Sequence, residues 1–105
     1  MKIKHSVPSH DCFMIIQPAR GDYRSRCLLV NGEKGEVYEL EDVDSGNITR
    51  AILLDLFCYA VNELPESICY LCYGLPRLTV IKALYSRYPE LQSGKNVEVL
   101  ILQKQ

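Results

Sequence analysis

Three arginines, Arg20, Arg24 and Arg26, lie within seven residues, in a stretch that alternates from Tyr23 onward. Tyr23, Ser25 and Cys27 take one side and Arg24 and Arg26 the other, so a strand here sets the two guanidinium groups about 7 Å apart on one face. Two planar forks at that spacing can clamp neighbouring phosphates, or a phosphate and a base edge. With Arg20 assisting, they are the candidate anion-binding residues. The alternative is that they pair with Glu36, Glu39 or Glu41 across a hairpin and merely solvate an exposed strand. Lys4 and His5 join the same surface if the first strand lies alongside; single residues of this kind are otherwise ordinary surface groups.

Five cysteines, Cys12, Cys27, Cys58, Cys69 and Cys72, make an odd number that suits reduced thiols better than a disulfide framework. Cys69-x-x-Cys72 has the spacing of half a zinc site. A second pair is missing, and His5 and His10 lie far upstream, so the pair reads as small buried hydrophobes and no metal or cofactor is expected. His10-Asp11-Cys12 places a base beside a thiol, yet adjacent residues on a helix point in different directions and form no triad unaided. Neither a Gly-x-Ser-x-Gly elbow nor a phosphate-binding Gly-x-x-x-x-Gly-Lys loop occurs. Of the seven tyrosines, Tyr85 and Tyr88 belong to a helix stripe and read as half-buried. Tyr73, beside Gly74 in an expected loop, is the candidate for ligand contact by stacking.

These groups need one scaffold, since 105 residues suffice for a single domain, 1–105, and not for two. With 48% hydrophobic and 24% charged residues the chain has the composition of a folded protein. A formal charge of −1 supplies no global basic field, so any anion-binding surface has to be local. No apolar stretch approaches the roughly 20 residues of a bilayer span and no signal-peptide core follows Met1, so a soluble, cytoplasmic protein without a membrane partner is expected.

The spacing predicts a short strand over Ile3–Val7. A short helix follows, with Ser9 as N-cap, Phe13, Ile16 and Ala19 at helical spacing, and Pro18 closing it. The alternating strand from Tyr23 runs to Val30, and Asn31-Gly32 with Gly35 signals a hairpin back through Glu36–Leu40. A second turn at Asp44-Ser45-Gly46-Asn47 leads into a long apolar strand, Ile48–Val61. Asn62–Glu66 is a loop, Ser67–Tyr73 fits a short helix or a loop, and Gly74 is a stop. Pro76 opens a helix whose apolar stripe is Leu78, Ile81, Leu84, Tyr85 and Tyr88. Asn96–Gln103 is a strand with both faces at least partly covered that closes the sheet. A meander with helices at its flanks usually curls into a small barrel in so short a chain.

The chain resembles the ASCH domain family, small PUA-like β-barrels associated with RNA and modified nucleosides. Phe13, Ile16 and Arg26 fall in the places of the family's early signature. Gly35-Glu36-Val37-Tyr38-Glu39-Leu40-Glu41 is similar to its Gly-Asp strand. Gly74, Ile81-Lys82-Ala83-Leu84-Tyr85, Tyr88-Pro89 and Val97–Leu102 follow the order of its far end. The same alignment puts Ala19 at the signature glycine, Gly21 at its lysine and Arg24 at its acidic position. Members that hydrolyse an acetylated cytidine rely on that lysine. Gly21 has no side chain to replace it, and Arg20 stays protonated and cannot act as a base.

The expectation is therefore an α+β domain, a small curled and mainly antiparallel β-barrel with two or three flanking helices. It would bind RNA or a nucleotide-like small molecule through Arg20, Arg24, Arg26, Lys4 and Tyr73 without a catalytic residue. Two alternatives stand beside it. One is an amidohydrolase acting on an acylated nucleoside, pairing Glu36 with Lys4 or Arg24. The other is a protein-interaction module, with a homodimer among its forms, using Ile52–Val61 or the Ile68–Tyr73 patch.

Overall fold

The computed structural model describes residues 2–19 and 34–105. Five strands are present: β1 (Lys2–His5), β2 (Cys12–Pro18), β3 (Val37–Asp42), β4 (Ile48–Tyr59) and β5 (Val97–Lys104). They form one curled half-barrel in the order β1-β3-β4-β5-β2, carrying two helices, α1 (Glu66–Tyr73) and α2 (Arg77–Arg87). The class is α+β and mainly antiparallel, with β1 and β3 the one parallel pair among the described strands.

Two faces with different covers explain the sequence pattern. Phe13, Ile15, Leu53, Leu56, Leu100 and Leu102 fill the concave side together with Ile3, Tyr38, Leu40 and Ala51. On the other side Ile16, Val97 and Val99 lie under the helices, against Cys69, Val80, Leu84 and Leu91. Strands β2 and β5 thus bury both faces, which is why they read as near-continuous apolar runs.

The helix expected from Ser9 is instead β2. The spacing of Phe13 and Ile16 suits a helix, but the adjacent β-branched pair Ile15 and Ile16 suits a strand. Register with β5 decides between them: Phe13 lies opposite Leu102 and Ile16 opposite Val99, on opposite faces. Pro18 ends β2 opposite Val97, at the edge of the sheet where its missing N–H is tolerated. The last strand does not close an edge. β5 is inserted between β4 and β2, and the edges are β1 and β2.

The β3–β4 hairpin forms where its turn residues lie. The Asp44 amide donates to Asp42 Oδ1 at 2.9 Å, and the Gly46 amide donates to the Asp42 carbonyl at 2.8 Å. β4 ends at Tyr59 and a 3-10 turn occupies Val61–Glu63. Opposite β5 it bulges between Leu53 and Asp55, which leaves Leu54 exposed. Ser67–Tyr73 resolves as helix α1, stopped by Gly74 at φ 70°, whose amide caps the Tyr70 carbonyl. In α2 the stripe is shifted from expectation. Leu78 is 74% exposed and Val80 is buried in its place, because the face turned to the sheet runs through Val80, Leu84 and, less completely, Ile81, Tyr85 and Tyr88. The strand expected over Tyr23–Val30 and the Asn31-Gly32 turn lie outside the described residues. No helix among the described residues is long and apolar enough to cross a membrane.

Candidate functional site

The concave face is apolar except at one end. Side chains alternate along each strand, so the residues that follow Phe13 and Ile15 on β2, Leu102 and Leu100 on β5, and Leu56 on β4 are Gln17, Glu98 and Cys58. They are in register across three strands, Cys58 opposite Glu98 and Glu98 opposite Gln17. Glu98 is fully buried, and Gln17 Nε2 donates to its Oε1 at 2.6 Å. Among the described residues it is the only buried carboxylate. Taking a carboxylate out of water costs several kcal/mol unless hydrogen bonds and charge repay it, so a buried Glu in an apolar wall is a costly choice at that position.

A second buried polar group lies on β1. His5 is 8% exposed, and its Nδ1 donates to the Ser6 carbonyl at 2.9 Å, which puts the ring proton on Nδ1. Nε2 is buried without a hydrogen-bond partner. Burial pushes its pKa down, the Arg87 charge acts in the same direction, and the backbone groups of Ser6 and Ile16 oppose both. That Ile16 of β2 and Arg87 of α2 act on a ring carried by β1 means that the curl brings the two edge strands close at His5.

Of the residues singled out from the sequence, Arg20, Arg24 and Arg26 lie outside the described residues. Lys4 is exposed and its Nζ is 3.6 Å from Glu41 Oε2, the cross-strand pairing of an exposed sheet. Tyr73 is not in a loop: it is the last residue of α1, packed against the helix-side core. Burial, and then Cys72 and other neighbours, push its hydroxyl up to about 12. Of the pairings suggested for hydrolysis, Glu36 with Lys4 does not form, because Glu36 precedes β3 while Lys4 pairs with Glu41 near its other end; Glu36 with Arg24 lies outside the described residues.

The cysteine pair is built into packing. Cys69 is fully buried, and burial followed by the Glu66 carboxylate pushes its thiol up. Cys72 donates to the Met14 carbonyl at 3.5 Å and is pushed up to about 11 by burial and then by Cys69. Raised in this way, both thiols are weaker nucleophiles near neutral pH than a free cysteine. No group of three or more His, Cys, Asp or Glu among the described residues is placed to hold a metal ion. An apolar groove of about 470 Å³ opens between β2 and α1, lined by Cys12, Met14, Ile101, Leu71 and Cys72 among others.

Sequence reasoning missed Gln17 and Glu98. The signal was present in β5: a glutamate between Val97 and Val99, in a strand expected to be at least partly covered on both faces, has little solvent to face. Fold and site together define a small α+β half-barrel with a polar end to its concave wall. Compared with protein-family models, curated proteins and solved structures, the chain matches none of them.

Proposed function

We propose that the chain is a non-catalytic binding module for RNA or a nucleotide-like anion, a degenerate relative of the ASCH family. The observation that carries this reading is the spacing of Arg24 and Arg26, which on a strand sets two guanidinium groups on one face. Arg24 and Arg26, by their strand spacing, supply the phosphate contacts, with Arg20 assisting. The unbridged thiols Cys12, Cys58, Cys69 and Cys72 suit a reducing compartment, and we place the protein in the cytoplasm.

The test is a titration with single-stranded RNA and with nucleotides at low and moderate salt. Affinity should fall as salt rises. Unchanged binding after Arg24 and Arg26 are both replaced removes the proposal.

A second reading, an interaction module that includes self-association, is favoured by one observation. Leu71 and Leu78 are 76% and 74% exposed on neighbouring helices, with Tyr70 and Leu75 also exposed.

A further inference from the structure

The apolar groove between β2 and α1 belongs neither to the arginine cluster nor to the buried Gln17–Glu98 pair. Its floor is Met14 and Ile101, which lie opposite each other in β2 and β5 and are half-buried. Leu71 and the half-buried Cys72 of α1 form its wall, and Cys12 and His10 stand exposed at its rim. A volume of about 470 Å³ falls within the range of roughly 300–1,000 Å³ typical of small-molecule sites.

Two properties of the lining select the ligand, and the first is neutrality. Among the described residues, no lysine, arginine, aspartate or glutamate lines the groove. Lys104 touches two lining residues but is turned to the concave face with Leu102. Its Nζ stands 5.9 Å from the centre of the Phe13 ring and donates to the Pro8 carbonyl at 2.6 Å. A charged group entering the groove would give up its hydration with no counter-charge to meet it. The second property is polarizability. Three sulfurs, the Cys12 and Cys72 thiols and the Met14 thioether, border the groove, and sulfur makes favourable contacts with aromatic rings. Cys72 already spends its S–H on the Met14 carbonyl at 3.5 Å, so the wall offers sulfur surface rather than a donor. We propose that the groove binds an uncharged aromatic small molecule, seated on Met14 and Ile101 and against Leu71, with the His10 imidazole hydrogen-bonding a polar atom at the rim. A phosphate has no cation to meet in this lining, so the ligand differs in class from the anion proposed for Arg24 and Arg26.

The test uses two probes that share a ring system and differ in charge: N-phenylnaphthylamine, which is neutral, and anilinonaphthalenesulfonate, the same framework carrying a sulfonate. Both are titrated by fluorescence into the whole chain. The rate of Cys12 alkylation by iodoacetamide is followed with and without the neutral probe. The neutral probe should saturate at one per chain and slow Cys12 alkylation in step with its occupancy, while the sulfonate binds severalfold more weakly. Leu71→Ser should weaken the neutral probe severalfold, whereas Leu78→Ser, 74% exposed and outside the lining, should leave it unchanged. Both leucines are exposed, and thermal melts check that the variants fold. Absence of saturable binding, or binding that leaves Cys12 alkylation unchanged, overturns the proposal. Equal loss in the two leucine variants also overturns it, because the probe would then be reading the exposed helical face and not the groove. A sulfonate that binds as tightly as the neutral probe overturns the assignment of an uncharged ligand.

Discussion

Gln17 and Glu98 stand 81 positions apart in the chain and directly opposite each other in the sheet, amide to carboxylate at 2.6 Å, both buried. Neither is an unusual residue for a strand end. Their adjacency is what makes a polar site at the end of an apolar wall, and it makes each sensitive to loss of the other. Gln17→Ala removes a donor from a buried carboxylate and should cost about 1.5–3 kcal/mol. The measurement is urea unfolding, with a lower midpoint and an unchanged slope. A midpoint equal to wild type would mean that the pair contributes nothing.

His5 makes stability depend on pH. Its folded pKa is lowered from 6.5, so the unfolded chain binds the proton more readily than the folded one. Stability from this group is present in full above pH 6.5 and declines as pH falls below it, toward the folded pKa. Urea midpoints at about pH 5 and about pH 7.5 should differ by less in His5→Gln than in wild type. Equal pH dependence in the two proteins would exclude His5 as the source.

The described thiols should react in a fixed order. Cys12 is exposed, whereas Cys72 is held at about 11 and Cys69 is buried and raised. At about pH 8 a thiol with that pKa is thiolate only about a thousandth of the time. Alkylation of the native chain, mapped by peptide mass spectrometry, should therefore label Cys12 well before Cys69 or Cys72. Early labelling at Cys72 would show that α1 leaves β2 readily.

If the arginines hold phosphates, they set the salt dependence of binding. Replacing Arg24 and Arg26 together should lower the slope of log affinity against log salt by about 1.4 for a single strand, about 0.7 for each phosphate released. Glu98→Gln, at a buried position, should leave that slope alone. A slope unaffected by the double substitution would assign the electrostatic contacts elsewhere.

Much of the scaffold was legible because its signals are local. Asp44-Ser45-Gly46-Asn47 marks a turn, closed by the Asp42 and Ser45 side chains accepting from the Asp44 and Asn47 amides, β4 follows from branched and aromatic content, and α2 from Pro76 and an apolar stripe between two prolines. Where two local patterns coexist, the sequence could not choose. Phe13 and Ile16 are compatible with a helix, and only pairing against β5 made that segment a strand with both faces buried. Leu78 and Val80 both fit a helical stripe, and the face that α2 packs on the sheet takes Val80.

By itself, then, the amino-acid order determined the α+β class, the β3–β4 hairpin, the second helix and the last strand. Each rests on residues within one or two turns of one another. Tertiary structure alone decided that β5 lies inside the sheet, that Glu98 meets Gln17, that His5 is shut between the edge strands and that Leu71 and Leu78 remain in water. Those outcomes depend on register and curl, which arise when distant strands share hydrogen bonds and two apolar faces must both be covered.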